Sequence, residues 1–217
     1  MKRLLRALVG RMWYAYHRLR SSWLVWFYVL NREPRRVWLR FRPELGRTES
    51  KVVAALKQDG IAFSSAGELF SPQTLEELRR HALLRLAEAE RLQPEPVSSG
   101  SESGGKNLAK DFILHIWGGG GAYPELDLQS PFILLALNEK ILAIAGAYLG
   151  VAPKFSGFSL QSTRLVPPGS APRLSQRWHR DPDDKKLVKI FLYLSDVEDE
   201  GAGPFSYIRG SQFGGRW

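Results

Sequence analysis

Between residues 72 and 92 the apolar positions Leu75, Leu78, Ala82 and Leu86 recur at the spacing of one helix face. Ser71 followed by Pro72 supplies an N-cap and a first-turn proline, so the pattern predicts a helix over 72–92. His81 lies beside that stripe and reads as structural. Upstream, Thr48-Glu49-Ser50 is expected to cap a short helix through Leu56, and Asp59-Gly60 to turn the chain into an apolar strand, Ile61-Ala62-Phe63. Ser130-Pro131 repeats the cap-plus-proline signature, and Asn138-Glu139 starts a second helix that ends at Leu149 with Gly150 in the C′ position. Residues 112–117, 155–166 and 187–194 read as strands, with Pro167-Pro168-Gly169-Ser170 and residues 198–203 as turns. Helices come first and strands follow, which predicts an α+β arrangement with helices covering one face of an antiparallel barrel or sandwich.

Residues 1–47 do not fit this pattern. They interleave arginine with aromatic residues, among them Trp13, Trp23, Trp26, Phe27, Tyr28, Trp38 and Phe41. The net charge of +9 is concentrated there: the segment holds 12 of the 31 basic residues and 2 of the 22 acidic ones, a balance of +10, which leaves −1 for the rest of the chain. The chain therefore divides into a basic, aromatic-rich helical arm, 1–47, and a domain, 48–217. The longest uncharged apolar run of the arm, residues 23–30, is far short of the roughly 20 residues that cross a bilayer. Three readings stay open for it. It packs its Trp and Leu residues on the domain, it meets an anionic membrane surface, or, as the least favoured, it meets a nucleic-acid backbone. A cytoplasmic protein peripheral to the membrane is the corresponding expectation for localisation.

Residues 93–107 carry two prolines and the run Ser98-Ser99-Gly100-Ser101-Glu102-Ser103-Gly104-Gly105, and so read as a mobile loop. Gly118 to Gly121 resemble a phosphate-cradling loop in composition alone, because no Gly-Lys-Ser/Thr follows. The absence of cysteine excludes disulfides, zinc-thiolate sites, iron-sulfur clusters and a cysteine nucleophile. Any metal must therefore be held by histidine and carboxylate ligands.

One pair of such ligands stands out. His179 and Asp181 are two apart, and in an extended segment alternate side chains project to the same side. An imidazole and a carboxylate so placed form two members of the 2-His-1-carboxylate triad, whose open positions let Fe(II) take a bidentate cosubstrate and dioxygen. Taken alone, this spacing is equally that of a surface turn.

The surrounding sequence narrows the choice. Gln176-Arg177-Trp178-His179-Arg180-Asp181-Pro182, then Lys189-Ile190-Phe191-Leu192-Tyr193-Leu194-Ser195-Asp196-Val197, then Gly203-Pro204-Phe205-Ser206-Tyr207-Ile208-Arg209-Gly210-Ser211, in that order, resemble the phytanoyl-CoA dioxygenase family of Fe(II)/2-oxoglutarate-dependent oxygenases. Weaker similarity reaches upstream through Asp59-Gly60 and residues 143–150, so the resemblance covers about residues 48–217. It implies a double-stranded β-helix, the cupin-like jelly roll, with His179 and Asp181 as iron ligands at its mouth. It further implies 2-oxoglutarate as cosubstrate, hydroxylation of a small-molecule substrate, and Gln161, on the preceding strand, as a contact to the cosubstrate. Lys189 is a second candidate contact, offering charge to a carboxylate. A strand glutamine bonded to backbone and a solvated lysine are the competing readings.

The sequence also departs from the family. The second histidine ligand and the arginine that grips the far carboxylate lie downstream of the Gly-Pro-Phe turn in the family, whereas here no histidine follows His179. Three explanations follow. A C-terminally truncated product, favoured because the sequence stops before a barrel closes, would hold the metal weakly or not at all. Alternatively His115 completes the site, or the protein is a non-catalytic relative acting through its arm as a binding module.

Overall fold

The structure, a computed structural model, describes residues 12, 13, 16, 22–92, 113–117, 128–163, 171, 174–179, 185–199, 203–212 and 215. The expected loop at 93–107, the glycine run 118–121, the turn 167–170 and Asp181 lie outside the described residues.

A π-helical segment, Val25–Leu30, opens the described part and leads into α1, Arg32–Phe41. The wide turn is closed by Asn31, whose backbone N–H and side-chain Nδ2 both donate to the Trp26 carbonyl, at 3.0 and 2.9 Å. Next comes α2, Arg47–Asp59, one residue before the expected cap and three beyond the expected end. Gly46, not Thr48, is its N-cap, and the buried Glu49 side chain folds back over it: a Cβ on residue 46 would collide with the carboxylate. Gly60 ends the helix with φ 76°, a conformation that costs glycine nothing. Residues 61–63, expected as a strand, belong to no strand.

The short helix α3, Ala66–Leu69, is held by a capping box, with Glu68 Oε2 accepting from the Ser65 N–H at 3.2 Å and from Ser64 Oγ at 2.7 Å. Helix α4 spans Pro72–Leu92 as predicted, and Ser71 Oγ accepts from the Thr74 N–H at 3.1 Å. Its stripe is buried at Leu78 and Ala82 and continues to Ala89. After β1, Ile113–Trp117, come α5, Pro131–Ala136, and α6, Glu139–Leu149. Both cap expectations for α6 are met: Asn138 Oδ1 accepts from the Lys140 N–H, and Gly150 takes a left-handed conformation. Strand β2, Leu160–Thr163, and a 3-10 turn, Leu174–Gln176, follow.

Helix α6 is the centre of the core. Ile141 and four consecutive residues, Ala143, Ile144, Ala145 and Gly146, are buried, so one whole turn is enclosed on every side. Helix α2 packs along it, with Val53 buried. Gly146 permits a second close approach: a Cβ there would sit 2.3 Å from the Trp38 ring of α1. The Ala152 N–H donates to the Pro34 carbonyl at 2.9 Å, and Phe27 lies against Gly150. Phe27, Pro34 and Trp38 of the basic arm thus pack on the domain, and Trp26 is only 4% exposed.

The expected double-stranded β-helix with helices on one face is not present. Among the described residues the chain is mostly helical, and β1 and β2 form a single two-stranded antiparallel sheet. Residues 187–194 and 203–208 belong to no strand, and no ladder joins them to each other or to the sheet. A jelly roll closes only when each strand hydrogen-bonds to neighbours on both sides. Here Ile190, Phe191, Tyr193, Phe205 and Ile208 are about half exposed instead of lining an interior.

Candidate metal and cosubstrate site

His179 follows the 3-10 turn at Leu174–Gln176 on an exposed segment. Its Nδ1 lies 2.7 Å from the Arg177 carbonyl oxygen. A carbonyl only accepts, so Nδ1 carries the proton and the lone pair of the neutral ring belongs to Nε2. That tautomer is the one a metal-ligating histidine adopts when a backbone carbonyl orients it. Asp181 is outside the described residues, and no group of three histidine and carboxylate side chains gathers among the described ones. The described residues therefore contribute one prepared nitrogen donor of the expected pair.

Gln161 lies on β2 and is exposed. The register sets it directly opposite His115 on β1, with a bulge between His115 and Trp117. The two candidates named for different roles are thus neighbouring positions of one antiparallel ladder. Gln161 and Thr163 alternate to the same side of β2. Gly203 (φ 71°) fits against Thr163, where a Cβ would come within 2.6 Å of Thr163 Cγ2. The start of the Gly-Pro-Phe run is therefore seated beside the strand that carries Gln161.

The second and third runs of the resemblance also meet each other. Phe191 stacks on Phe205 with ring centroids 4.3 Å apart, and the Phe205 N–H donates to Tyr193 Oη at 2.8 Å. The side chains substitute for the missing ladder: a ring stack and one hydroxyl hold the two extended segments together. Lys189, at the start of the second run, is exposed.

The end of the third run and Gln212 just beyond it are anchored to the helical core. Gly210 N–H donates to the Asp59 carbonyl at 2.8 Å, and Gln212 Nε2 donates to the Lys57 and Gln58 carbonyls at 3.3 and 3.2 Å. Arg209 approaches the Asp59 carboxylate at 3.5 Å. Together they cap the C-terminal end of α2, whose last carbonyls have no partner within the helix. On the other side, Lys186 Nζ donates to the Tyr148 carbonyl near the end of α6 and lies over the Tyr148 ring at 4.1 Å and the Trp23 ring at 5.9 Å. Burial, and secondarily the charge of Lys57, hold the Lys186 ammonium below its ordinary pKa. Burial, then Tyr207, pushes the Tyr148 hydroxyl up. Lys186 escaped the sequence reading because its partners are carbonyls and rings far along the chain, with no spacing to betray them.

No family model matches the chain, and neither a curated protein nor a solved structure matches it. Among the described residues no helix is long and apolar enough to cross a membrane.

Proposed function

We propose that the chain carries a non-haem Fe(II), 2-oxoglutarate-dependent oxygenase site built on His179 and Asp181, acting on a small organic substrate. The observation that carries this reading is the His179 ring, whose Nδ1–H is committed to the Arg177 carbonyl so that Nε2 bears the lone pair. An imidazole nitrogen with a carboxylate two residues away is a donor set suited to Fe(II), and the sequence order of the three runs supports the same assignment. With iron bound, such a site supplies the oxidising power to place one oxygen atom of dioxygen in the substrate and the other in succinate, with loss of carbon dioxide from 2-oxoglutarate.

The protein's own groups then have defined tasks. His179 supplies the nitrogen donor and Asp181 the carboxylate. Gln161, beside the seat of Gly203, supplies an amide to the cosubstrate, and Lys189 supplies positive charge to a carboxylate. His115, opposite Gln161, is the position from which a further imidazole would come. This assignment does not require the jelly roll.

Anaerobic titration of the full chain with Fe(II) and 2-oxoglutarate, followed by its visible charge-transfer absorption, tests the site apart from turnover. Loss of a ligand is expected to weaken iron binding by at least about tenfold in His179→Ala, the lower end of what even outer-shell partners contribute. Succinate release on addition of oxygen is expected to require iron and to be lost in the same variant. Iron binding and succinate release that His179→Ala and Asp181→Ala both leave unchanged, or no iron-dependent succinate at all, would overturn the assignment.

A further inference from the structure

The inward packing of the arm leaves a second face of it uncovered. On α1, Pro34, Val37, Trp38 and Phe41 fall within one side of the helix, and Arg32, Arg36 and Arg40 fall on the other. Trp38 covers Gly146 of α6, yet Val37 and Phe41 beside it stay exposed, Phe41 at 67%. The π-helical segment continues the same character: Tyr28, Val29 and Leu30 are consecutive and exposed, Val29 at 66%. Arginine borders this apolar surface throughout. Arg35 lies over the Phe27 and Tyr28 rings at 5.2 and 5.0 Å, and Arg40 lies over Phe41 at 5.0 Å. Between residues 22 and 43 Glu33 is the lone acidic residue, and it is paired with Arg36 at 2.6 Å.

We propose that residues 24–42 form a peripheral docking surface for an anionic lipid bilayer, with Val29, Leu30, Val37 and Phe41 entering the headgroup boundary and the flanking arginines meeting lipid phosphates. Charge complementarity selects the partner: an apolar strip rimmed by arginine matches a surface that is negative outside and hydrocarbon inside. A nucleic acid is the poorer match for a specific reason. Bases bind through stacking on accessible aromatic faces, and here Trp26 is buried, Trp23 is stacked on Phe27 at 4.7 Å, Trp38 is packed on α6, and Arg35 and Arg40 lie over the exposed Tyr28 and Phe41 rings. What remains exposed is largely aliphatic, which gains from acyl chains and gains nothing from a phosphate backbone. This surface stands independently of the iron site, because none of its residues belongs to that site.

The test is co-sedimentation of the full chain with vesicles of phosphatidylcholine alone and of phosphatidylcholine with phosphatidylserine, at low and high salt, beside a duplex and a single-stranded oligonucleotide. Retention on the anionic vesicles alone, weakened by salt, is the expected result. Arg36→Gln with Arg40→Gln is expected to weaken it roughly 25-fold, taking each arginine near the surface as about a fivefold factor. Val29→Ser with Phe41→Ser should also release the protein, while circular dichroism stays that of the parent because these side chains are exposed. Equal retention on neutral vesicles, binding that the serine variants leave intact, or retention on an oligonucleotide in place of the vesicles would each overturn the proposal.

Discussion

The helical core and the described residues of 185–212 both carry apolar runs, yet the core is ordered by patterns inside each element and the other segment by partners far away. In α4 and α6 the caps, the stripe and the terminating glycine lie within the helix and its immediate neighbours. In 185–212 the apolar run Ile190-Phe191-Leu192-Tyr193-Leu194 reads as a strand, but no ladder forms among the described residues of the segment. A helix satisfies its own backbone, whereas an extended segment becomes a strand only when another edge accepts it. Apolar patterning with local caps therefore reports a helix more securely than an apolar run reports a strand.

Substitutions in the core should separate the two regions most widely. Trp26→Ala is expected to cost about 3–5 kcal/mol in denaturant unfolding, and Leu78→Ala about 2–5 kcal/mol, because both side chains are buried and leave cavities. Phe191→Ala, in the exposed segment, should cost about 0.5–1.5 kcal/mol, the worth of its stack on Phe205. A loss at Phe191 equal to that at Trp26 would mean that 185–212 belongs to a buried sheet after all. Gly146→Val should cost about 1–3 kcal/mol by forcing Trp38 off α6, and near-ultraviolet circular dichroism should register the displaced indole.

Gln212→Ala tests the junction between the regions. Loss of its two bonds to the end of α2 is expected to cost about 1 kcal/mol and to raise hydrogen exchange in the last turn of that helix, with little change in α4. The smallest effects are electrostatic. Burial and Lys57 depress the Lys186 pKa, so the unfolded chain holds that proton more tightly than the folded one, and stability rises with pH on approaching the ordinary value of 10.5. Lys186→Met should flatten that alkaline rise. Glu68 gives the same sign in the acid range: the Ser64 hydroxyl, then the Ser65 N–H, favours its carboxylate, so its contribution is present above the ordinary 4.5 and fades as pH falls below it. Glu68→Gln should remove that acid-side loss from a pH series of thermal melts.

The legible part of the fold was the part whose cause is local. Ser71, Asn138 and Gly150 announced helix ends correctly, while α2 ran three residues past its expected end to Gly60; of the α4 stripe, Leu78 and Ala82 are buried and Leu75 and Leu86 half-buried. The strands at 112–117 and 155–166 were legible in outline: β1 and β2 fall within them, residues 155–159 stay outside the sheet, and residues 112 and 164–166 lie outside the described residues. What failed was the step from motif order to jelly roll, since that step needs pairings no single segment encodes. At the candidate site the sequence named His179, but not the Arg177 carbonyl that orients it, nor Tyr193 and Thr163 as the places where the runs meet. Those contacts rest on backbone atoms and single hydroxyls, which leave no compositional trace.

The capping of α2 by Gln212 has a consequence in time. The amide reaches a carbonyl 155 residues earlier in the chain. At the usual rate of translation, α2 would wait roughly 8 to 30 seconds between its own emergence and that of its cap. During synthesis its last turn is therefore open to water and to chaperones, and the nascent helix is sealed only when the segment carrying Gln212 leaves the ribosome.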